Sequence, residues 1–383
     1  MSSPFFRISP SGVETAVNID DQFVAPFQSP LWLIGAGPSL QREDIDLIRS
    51  SPAPKFCVNL SGCNKDGRPP LFRPDFWTGY DSTRRFHKSI YLDPGIMKFV
   101  CKSRKADIIP ETTYRVYEAP NTLFFDREYR KFEEFTNPNS DKIIDCQDTF
   151  VQAIDIAYRL GFRKIFMVGV ELAVIPSDEQ LELASQHGVE YDQRTMSTKM
   201  EKVDGALLRD FDARCREKGL VRDCNPGEEC EDGKKRMILD VGRPEHYSMS
   251  ETRKWQTTIR ADEHYYRTSQ YLRMARGNFS KNGLELVCCT SPSRLSNYFT
   301  NKTVEEACEW IKETVGDPNS ETCLGKYEEI TKPGSGLMPM RDYKPHGDDR
   351  VNDFHKKTDN ERVEMLTKKV ADIPEEIELD SLL

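Results

Sequence analysis

No stretch of the 383-residue chain approaches the ~18 consecutive apolar residues that a bilayer crossing needs. Met1-Ser2-Ser3-Pro4-Phe5-Phe6 has no charged region leading into an apolar one. Neither a membrane span nor a secretory leader is expected, which leaves a soluble, cytoplasmic protein. An excess of positive charge is also missing: 63 acidic residues against 54 basic ones give a formal charge of −9. Broad attraction to nucleic acid or anionic lipid is therefore not expected, although a local basic pocket stays open. Cysteine pairs at zinc spacing are absent too. Of the eleven cysteines, Cys57, Cys146 and Cys288 lie in apolar runs, where thiols behave as small hydrophobes, and disulfides are not expected. Cys215, Cys224 and Cys230 cluster in a polar stretch, but five residues separate the last two and no second pair matches them. No metal site is assigned there. The phosphate loop G-x-x-x-x-G-K-[ST] is missing, which excludes that class of NTPase, and no internal repeat is visible.

What is present is an α/β pattern. The apolar share is 37% and the charged share 31%, a core diluted by polar insertions and a tail. Residues 31–34 form a short apolar run without alternation, closed by glycines, as suits a strand buried on both faces. Glu43 and Asp44 then fall in the first turn of a helix with Ile45, Leu47 and Ile48 on its inner face. The runs over 55–60, 76–80, 89–92, 114–117 and 164–170 read as further strands. Over 148–160, Phe150, Ile154 and Ala157 recur at helical spacing with Val151 and Ala153 beside them, and Gly161 stops the helix. Such alternation predicts an α/β, doubly wound, mostly parallel Rossmann-like sheet with an inserted polar subdomain or lid and a mobile C-terminal tail. The boundaries read as an N-terminal extension over 1–28, a nucleotide-binding core over 29–175 and an insertion or lid over 176–252. The core is completed over 253–316, with a helix at 255–276, a strand at 284–288 and a helix at 304–314. A linker and acidic tail over 317–383 would bind a protein partner or aid solubility.

Three constellations carry chemistry. In the turn Gly35-Ala36-Gly37-Pro38-Ser39-Leu40, the glycines permit close approach of backbone to a ligand, Pro38 suits a first helical position and Ser39 adds a hydroxyl. Exposed amides there would embrace an anion. A tight strand-to-helix turn without a ligand would read the same way. Leu40 replaces the third glycine of G-x-G-x-x-G and the second strand ends in Asn59, which disfavours a dinucleotide enzyme. Second, Asp81, Asp93, Glu118 and Glu171 follow expected strands, where acids could hold Mg²⁺, grip a ribose or move protons. Asp93, followed by Pro94, reads more simply as a helix cap. Third, Gln147-Asp148-Thr149 opens the helix at 150, as a ligand-binding terminus or as a plain cap. The cluster Arg84, Arg85, His87 and Lys88 could balance a pyrophosphate or lie in a solvated loop.

The 35–40 turn, Asn59, and the run from Asp148-Thr149-Phe150-Val151 through Leu160-Gly161 to Val168-Gly169-Val170-Glu171-Leu172 resemble the 6-hydroxymethylpterin diphosphokinase-like Rossmann family. That family includes the flagellar motility accessory factors, and the same residues look like the related bacterial sialyltransferases that use CMP-sialic acid. Cys289-Thr290-Ser291-Pro292-Ser293 is similar to the family's closing strand and turn. The resemblance covers about half the chain in three pieces and implies a fold more specifically than a reaction. It implies that Gly35, Ala36, Gly37, Pro38 and Ser39 surround the nucleotide phosphates, that Asn59 contacts phosphate or ribose, and that Thr149 binds the donor. Asp148, Thr290 and Ser293 join that set. Glu171 falls where the family usually has Asp. The sialyltransferases use a histidine base, for which His187, His246 and His264 are candidates and His264 the preferred one, with Asp81 and Glu171 as acids. The resulting expectation is a transferase taking a nucleotide or nucleotide-sugar and an unidentified acceptor, glycosyl transfer ahead of Mg²⁺-dependent diphosphoryl transfer. A non-catalytic nucleotide-binding or scaffold protein is the alternative.

Overall fold

The apolar run at 31–34 forms a strand for the reason its lack of alternation suggests. Leu31 and Leu33 enter the core on one face of a sheet, while Trp32 and Ile34 enter a second core on the other. A computed structural model describes residues 3–9, 11–19, 30–37, 39–40, 45–62, 74–173 and 264–315, the backbone of 255–263, and four two-residue strands between 191 and 236.

The strands in chain order are β1 (Phe6–Ile8), β2 (Glu14–Ala16), β3 (Pro30–Ile34), β4 (Lys55–Val58), β5 (Phe76–Thr78), β6 (Met97–Cys101), β7 (Thr122–Phe125), β8 (Arg127–Glu128), β9 (Ile143–Ile144) and β10 (Lys164–Val168). After them come β11 (Tyr191–Asp192), β12 (Ser197–Thr198), β13 (Leu220–Val221), β14 (Lys235–Arg236), β15 (Glu285–Cys288) and β16 (Thr300–Asn301). Ten of these build one sheet in the order β16-β15-β10-β3-β4-β5-β6-β7-β1-β2. Every pairing from β16 to β7 is parallel, and β1 and β2 close one edge antiparallel.

The helices are α1 (Ile45–Ser50), α2 (Lys88–Leu92), α3 (Thr149–Leu160), α4 (Trp255–Lys281) and α5 (Val304–Val315). Buried residues of α3 and α4 join the core on one face of the sheet, those of α1, α2 and α5 the core on the other. The sheet is thus doubly wound. From β3 the chain adds β4 to β7 on one side and β10, β15 and β16 on the other. The strand order reverses between β3 and β10, and open α/β sheets bind ligands beyond the carboxyl ends of the strands at such a point.

Several expectations need correction. Residues 89–92 belong to α2, whose first turn is capped by His87 accepting from Ser89 N–H, with Ile90, Tyr91 and Leu92 buried. A four-residue apolar run has no periodicity of its own, and here the cap decides. Residues 114–117 make one antiparallel bridge, Ile108 to Arg115, and then the 3₁₀ turn Val116–Glu118. Strands β6 and β7 were not foreseen, and β1 and β2 belong to the sheet although 1–28 reads as an extension. Helix α4 runs to Lys281 rather than 276, and α5 to Val315. The cysteine cluster, His187, His246, the tail and most of 176–252 lie outside the described residues.

Candidate active site

The turn after β3 is closed by the chain itself. Gly35 N–H donates to Val168 O at 2.8 Å, Gly37 N–H to Gly169 O at 2.7 Å and Leu40 N–H to Gly37 O at 3.1 Å. Ser39 N–H donates to Glu171 Oε1 at 2.7 Å, and Glu171 is 3% exposed. A carboxylate therefore already rests where an anion was expected. A Cβ at Gly35 would overlap the Gly169 carbonyl oxygen, and one at Gly37 would overlap the Glu171 carboxyl group. Both glycines are required, for the approach of the chain's own β10 turn. Ala36 lies half-buried in the same turn, and Pro38 is outside the described residues.

Glu171 is held from behind. Thr290 Oγ1 accepts from Val170 N–H at 3.0 Å, Ser293 Oγ donates to Val170 O at 2.7 Å, and Arg294 N–H donates to Glu171 O at 3.0 Å. The hydroxyls of Thr290 and Ser293 thus clamp backbone on the segment after β10. Asn59, by contrast, meets Thr149 across the sheet edge: Thr149 Oγ1 donates to Asn59 Oδ1 at 2.9 Å and accepts from Tyr80 N–H at 3.2 Å.

The remaining acids separate. Asp81 pairs with Arg85 at 2.9 Å and is 43% exposed. Asp93 follows α2 and accepts from Gly95 N–H. Glu118 accepts from Arg115 N–H in its 3₁₀ turn. In the basic cluster, Lys88 pairs with Glu111 and His87 caps α2.

His264 and Asp148 come together. Asp148 is the N-cap of α3: its Oδ1 accepts from Phe150 N–H at 2.8 Å and Val151 N–H at 3.1 Å. Its Oδ2 lies 3.0 Å from His264 Nε2 and accepts from Thr268 Oγ1 at 3.3 Å. A carboxylate only accepts, so Nε2 carries a proton, and the tautomer this geometry selects has its lone pair at Nδ1. His264 opens onto a cavity of about 510 Å³, walled on the α4 side also by Arg267, Thr268 and Tyr271. Asp145, Cys146 and Gln147, between β9 and α3, and Tyr129 form the rest. Burial pushes the Cys146 thiol up to about 11 and raises Tyr271 as well, so both stay protonated at neutral pH. Each is a wall with a polar tip.

Of these residues, the sequence marks His264 and the 147–149 run as candidates for chemistry and Cys146 only as a thiol in an apolar run. The spacing 264, 268, 271 is one helix face and could have flagged Thr268 and Tyr271. Tyr129 had no signal. Three non-glycine residues at this sheet edge have left-handed backbones: Asn59 at φ 51°, Gln147 at 57° and Leu172 at 46°. Such strain costs on the order of 1–3 kcal/mol per residue and gathers at functional sites. Comparison with protein-family models, with curated proteins and with solved structures gave no match.

Proposed function

We propose that the chain is a transferase that takes a nucleotide-activated donor at the carboxyl edge of its sheet, with glycosyl transfer ahead of diphosphoryl transfer. The observation that carries this reading is the His264–Asp148 pair, whose histidine lines the cavity. In the reaction, His264 Nδ1 takes the proton of an acceptor hydroxyl as that oxygen attacks the donor's anomeric carbon. The bond from that carbon to the nucleotide phosphate breaks, and the phosphate leaves with the electron pair. Asp148 holds the ring in the tautomer this needs and stabilises the imidazolium that forms. Diphosphoryl transfer would instead ask Asp81 and Glu171 to hold Mg²⁺, and each is engaged elsewhere, with Arg85 and with Ser39 N–H.

A second reading is favoured by one observation. The Glu171 carboxylate takes the Ser39 amide where a donor phosphate was expected, which fits a chain that kept the fold and lost the chemistry, a nucleotide-binding or scaffold protein. The full chain, incubated with CMP- and UDP-sugars and nucleoside triphosphates with and without chelator, separates the two. Release of nucleotide from a nucleotide-sugar, unaffected by chelator and lost in His264→Gln, is expected. Binding without turnover would establish the second reading, and neither binding nor turnover would end both.

A further inference from the structure

We infer that the outer face of α4 is a docking surface for an acidic, aliphatic polypeptide segment, and that its occupant is residues 371–383 of the same chain. The docking is independent of the transfer reaction proposed above. Over 264–281 of α4 the sequence carries four full cations, Arg267, Arg273, Arg276 and Lys281, and no carboxylate, in a protein of formal charge −9. All four are exposed. At about 3.6 residues per turn they share one half of the helix with Tyr266, Met274 and Gly277, opposite the buried Leu272, Ala275 and Phe279.

Four cations elsewhere at or near the surface are neutralised: Arg49 by Asp46, Arg85 by Asp81, Lys88 by Glu111 and Lys102 by Glu14. Among the described residues, those of α4 have no ion pair. Arg273 Nε donates to Gln270 Oε1 at 2.8 Å and Arg276 Nη1 to Tyr298 O at 3.0 Å, both neutral acceptors. Arg273 and Arg276, three positions apart, repel one another, which an anionic partner would relieve. Two of the four exposed large hydrophobic side chains among the described residues, Tyr266 at 46% and Met274 at 44%, stand between these cations. A Cβ at Gly277 would meet nothing within 4 Å, so the face is open there.

A phosphate polymer binds mainly through its backbone charge, and a chain of charge −9 repels it overall. A polypeptide that brings carboxylates together with aliphatic side chains answers both the cations and the apolar groups. Residues 371–383, outside the described residues, have that composition. Asp372, Glu375, Glu376, Glu378 and Asp380 occur there without one Lys or Arg, and Ile373, Ile377, Leu379 and Leu382 lie among them. The 55 residues 316–370 separate this segment from the end of α5 at Val315. A chain of that length spans up to ~180 Å, so reach does not keep the segment from α4. Tethering raises its effective concentration there, and a few weak ion pairs then suffice.

The test uses the full chain at low ionic strength. Hydrogen exchange read by mass spectrometry should show the amides of 371–383 protected roughly tenfold over the same segment as a free peptide, the size of two or three exposed ion pairs. Protection should be lost at ~0.5 M salt, where screening is short-ranged. It should be lost in Arg273→Glu with Lys281→Glu, and in Glu375→Lys with Glu376→Lys and Glu378→Lys, a variant that leaves α4 untouched. Combining the two sets should restore it. A carbodiimide, which takes up the water released, should join Lys281 Nζ to a side-chain carboxylate of 371–383 as an amide within one chain. Exchange at the free-peptide rate in the wild type, protection that survives either charge reversal, or no recovery in the combined variant would overturn the proposal. So would Lys281 linked only to a second copy or to another segment, which would give the face a different occupant.

Discussion

If the proposed transfer reaction holds, Asp148→Asn separates catalysis from folding at a residue that would serve both. In the native chain one carboxylate oxygen caps α3 and the other meets His264. Asparagine ranks with aspartate as an N-cap, so Oδ1 keeps the Phe150 and Val151 amides, and only the charge at the helix start is lost. That loss is worth ~0.3–1 kcal/mol. For a domain of roughly 150–250 residues it lowers Tm by about 4 °C at most. The second substituent becomes an NH₂ group facing Nε2. Two donors cannot face each other, so the imidazole proton moves to Nδ1, and the lone pair that would accept the acceptor's proton is gone. Turnover should fall by ~10²–10⁴-fold, the range for a lost general base. Long-range ¹H–¹⁵N NMR of the imidazole should show the proton on Nε2 in the wild type and on Nδ1 in the variant. Asp148→Ala, which also loses the cap, should cost a further ~0.5–2 kcal/mol. An Asp148→Asn protein with the native tautomer, or with turnover within tenfold of wild type, would refute the pairing's role.

Other consequences follow from buried charge. Asp155, fully buried, takes Arg130 Nη2 at 2.6 Å and Ile144 N–H at 2.9 Å, and so ties α3 to β9 beside the cavity. Asp155→Ala should cost about 3 kcal/mol by removing the buried carboxylate from Arg130 and leaving it only the partly exposed Glu128, whereas Arg130→Met with Asp155→Leu should lose much less than the sum of the single changes. Chemical denaturation reads both, and additive losses would refute the coupling. His87 is held below its ordinary value of 6.5, first by burial and then by Lys88, against a raising influence from Glu111. Its neutral ring caps α2, so that contribution is complete above pH 6.5 and is lost as pH falls through the lowered value. His87→Asn should keep the cap and flatten stability between pH 7 and 5, and an unchanged pH slope would refute this. Cys146, moved from 9.0 to about 11 by burial, carries about one hundredth of the thiolate of an ordinary thiol at pH 8. Because a thiolate of higher pKa is also more nucleophilic, iodoacetamide should modify it roughly tenfold more slowly, by peptide mass spectrometry, and modification at the ordinary rate would contradict the burial.

The legible parts of the fold are those where one physical cause acts alone. Strand β3 and helix α3 are buried over their whole lengths, so burial writes itself into every position, and Asp148 and Gly161 add terminal signals at the two ends of α3. Gly161 has the left-handed φ of 105° that its place as a stop requires. Residues 89–92 misread because burial alone does not distinguish a short strand from one turn of helix. The deciding contact is His87 on Ser89 N–H, a side chain more often read as a titrating group. Strand β6 contains a buried charge, Lys98, whose ammonium reaches the Asp93 carbonyl at 2.6 Å, and such a residue hides an apolar run.

The candidate site was half legible for a deeper reason. A glycine pair reports that something comes close to the backbone and leaves the visitor unnamed. In the 35–40 turn the visitors are the Gly169 carbonyl and the Glu171 carboxyl group, both contributed from the end of β10, some 130 residues later in the chain. A close approach within the fold and a close approach to a ligand select the same residues, since both need an open face and free amides. What distinguishes them is the length of one side chain at 171. Glutamate reaches Ser39 N–H and fills the turn. An aspartate, one methylene shorter, would leave room between carboxylate and amide. The Ser39 tie thus depends on one CH₂ group, and Glu171→Asp, which keeps the charge but shortens the reach, should lower stability by about 1 kcal/mol in chemical denaturation. Unchanged stability in that variant would mean that the carboxylate's charge, and not its reach to Ser39 N–H, governs the turn.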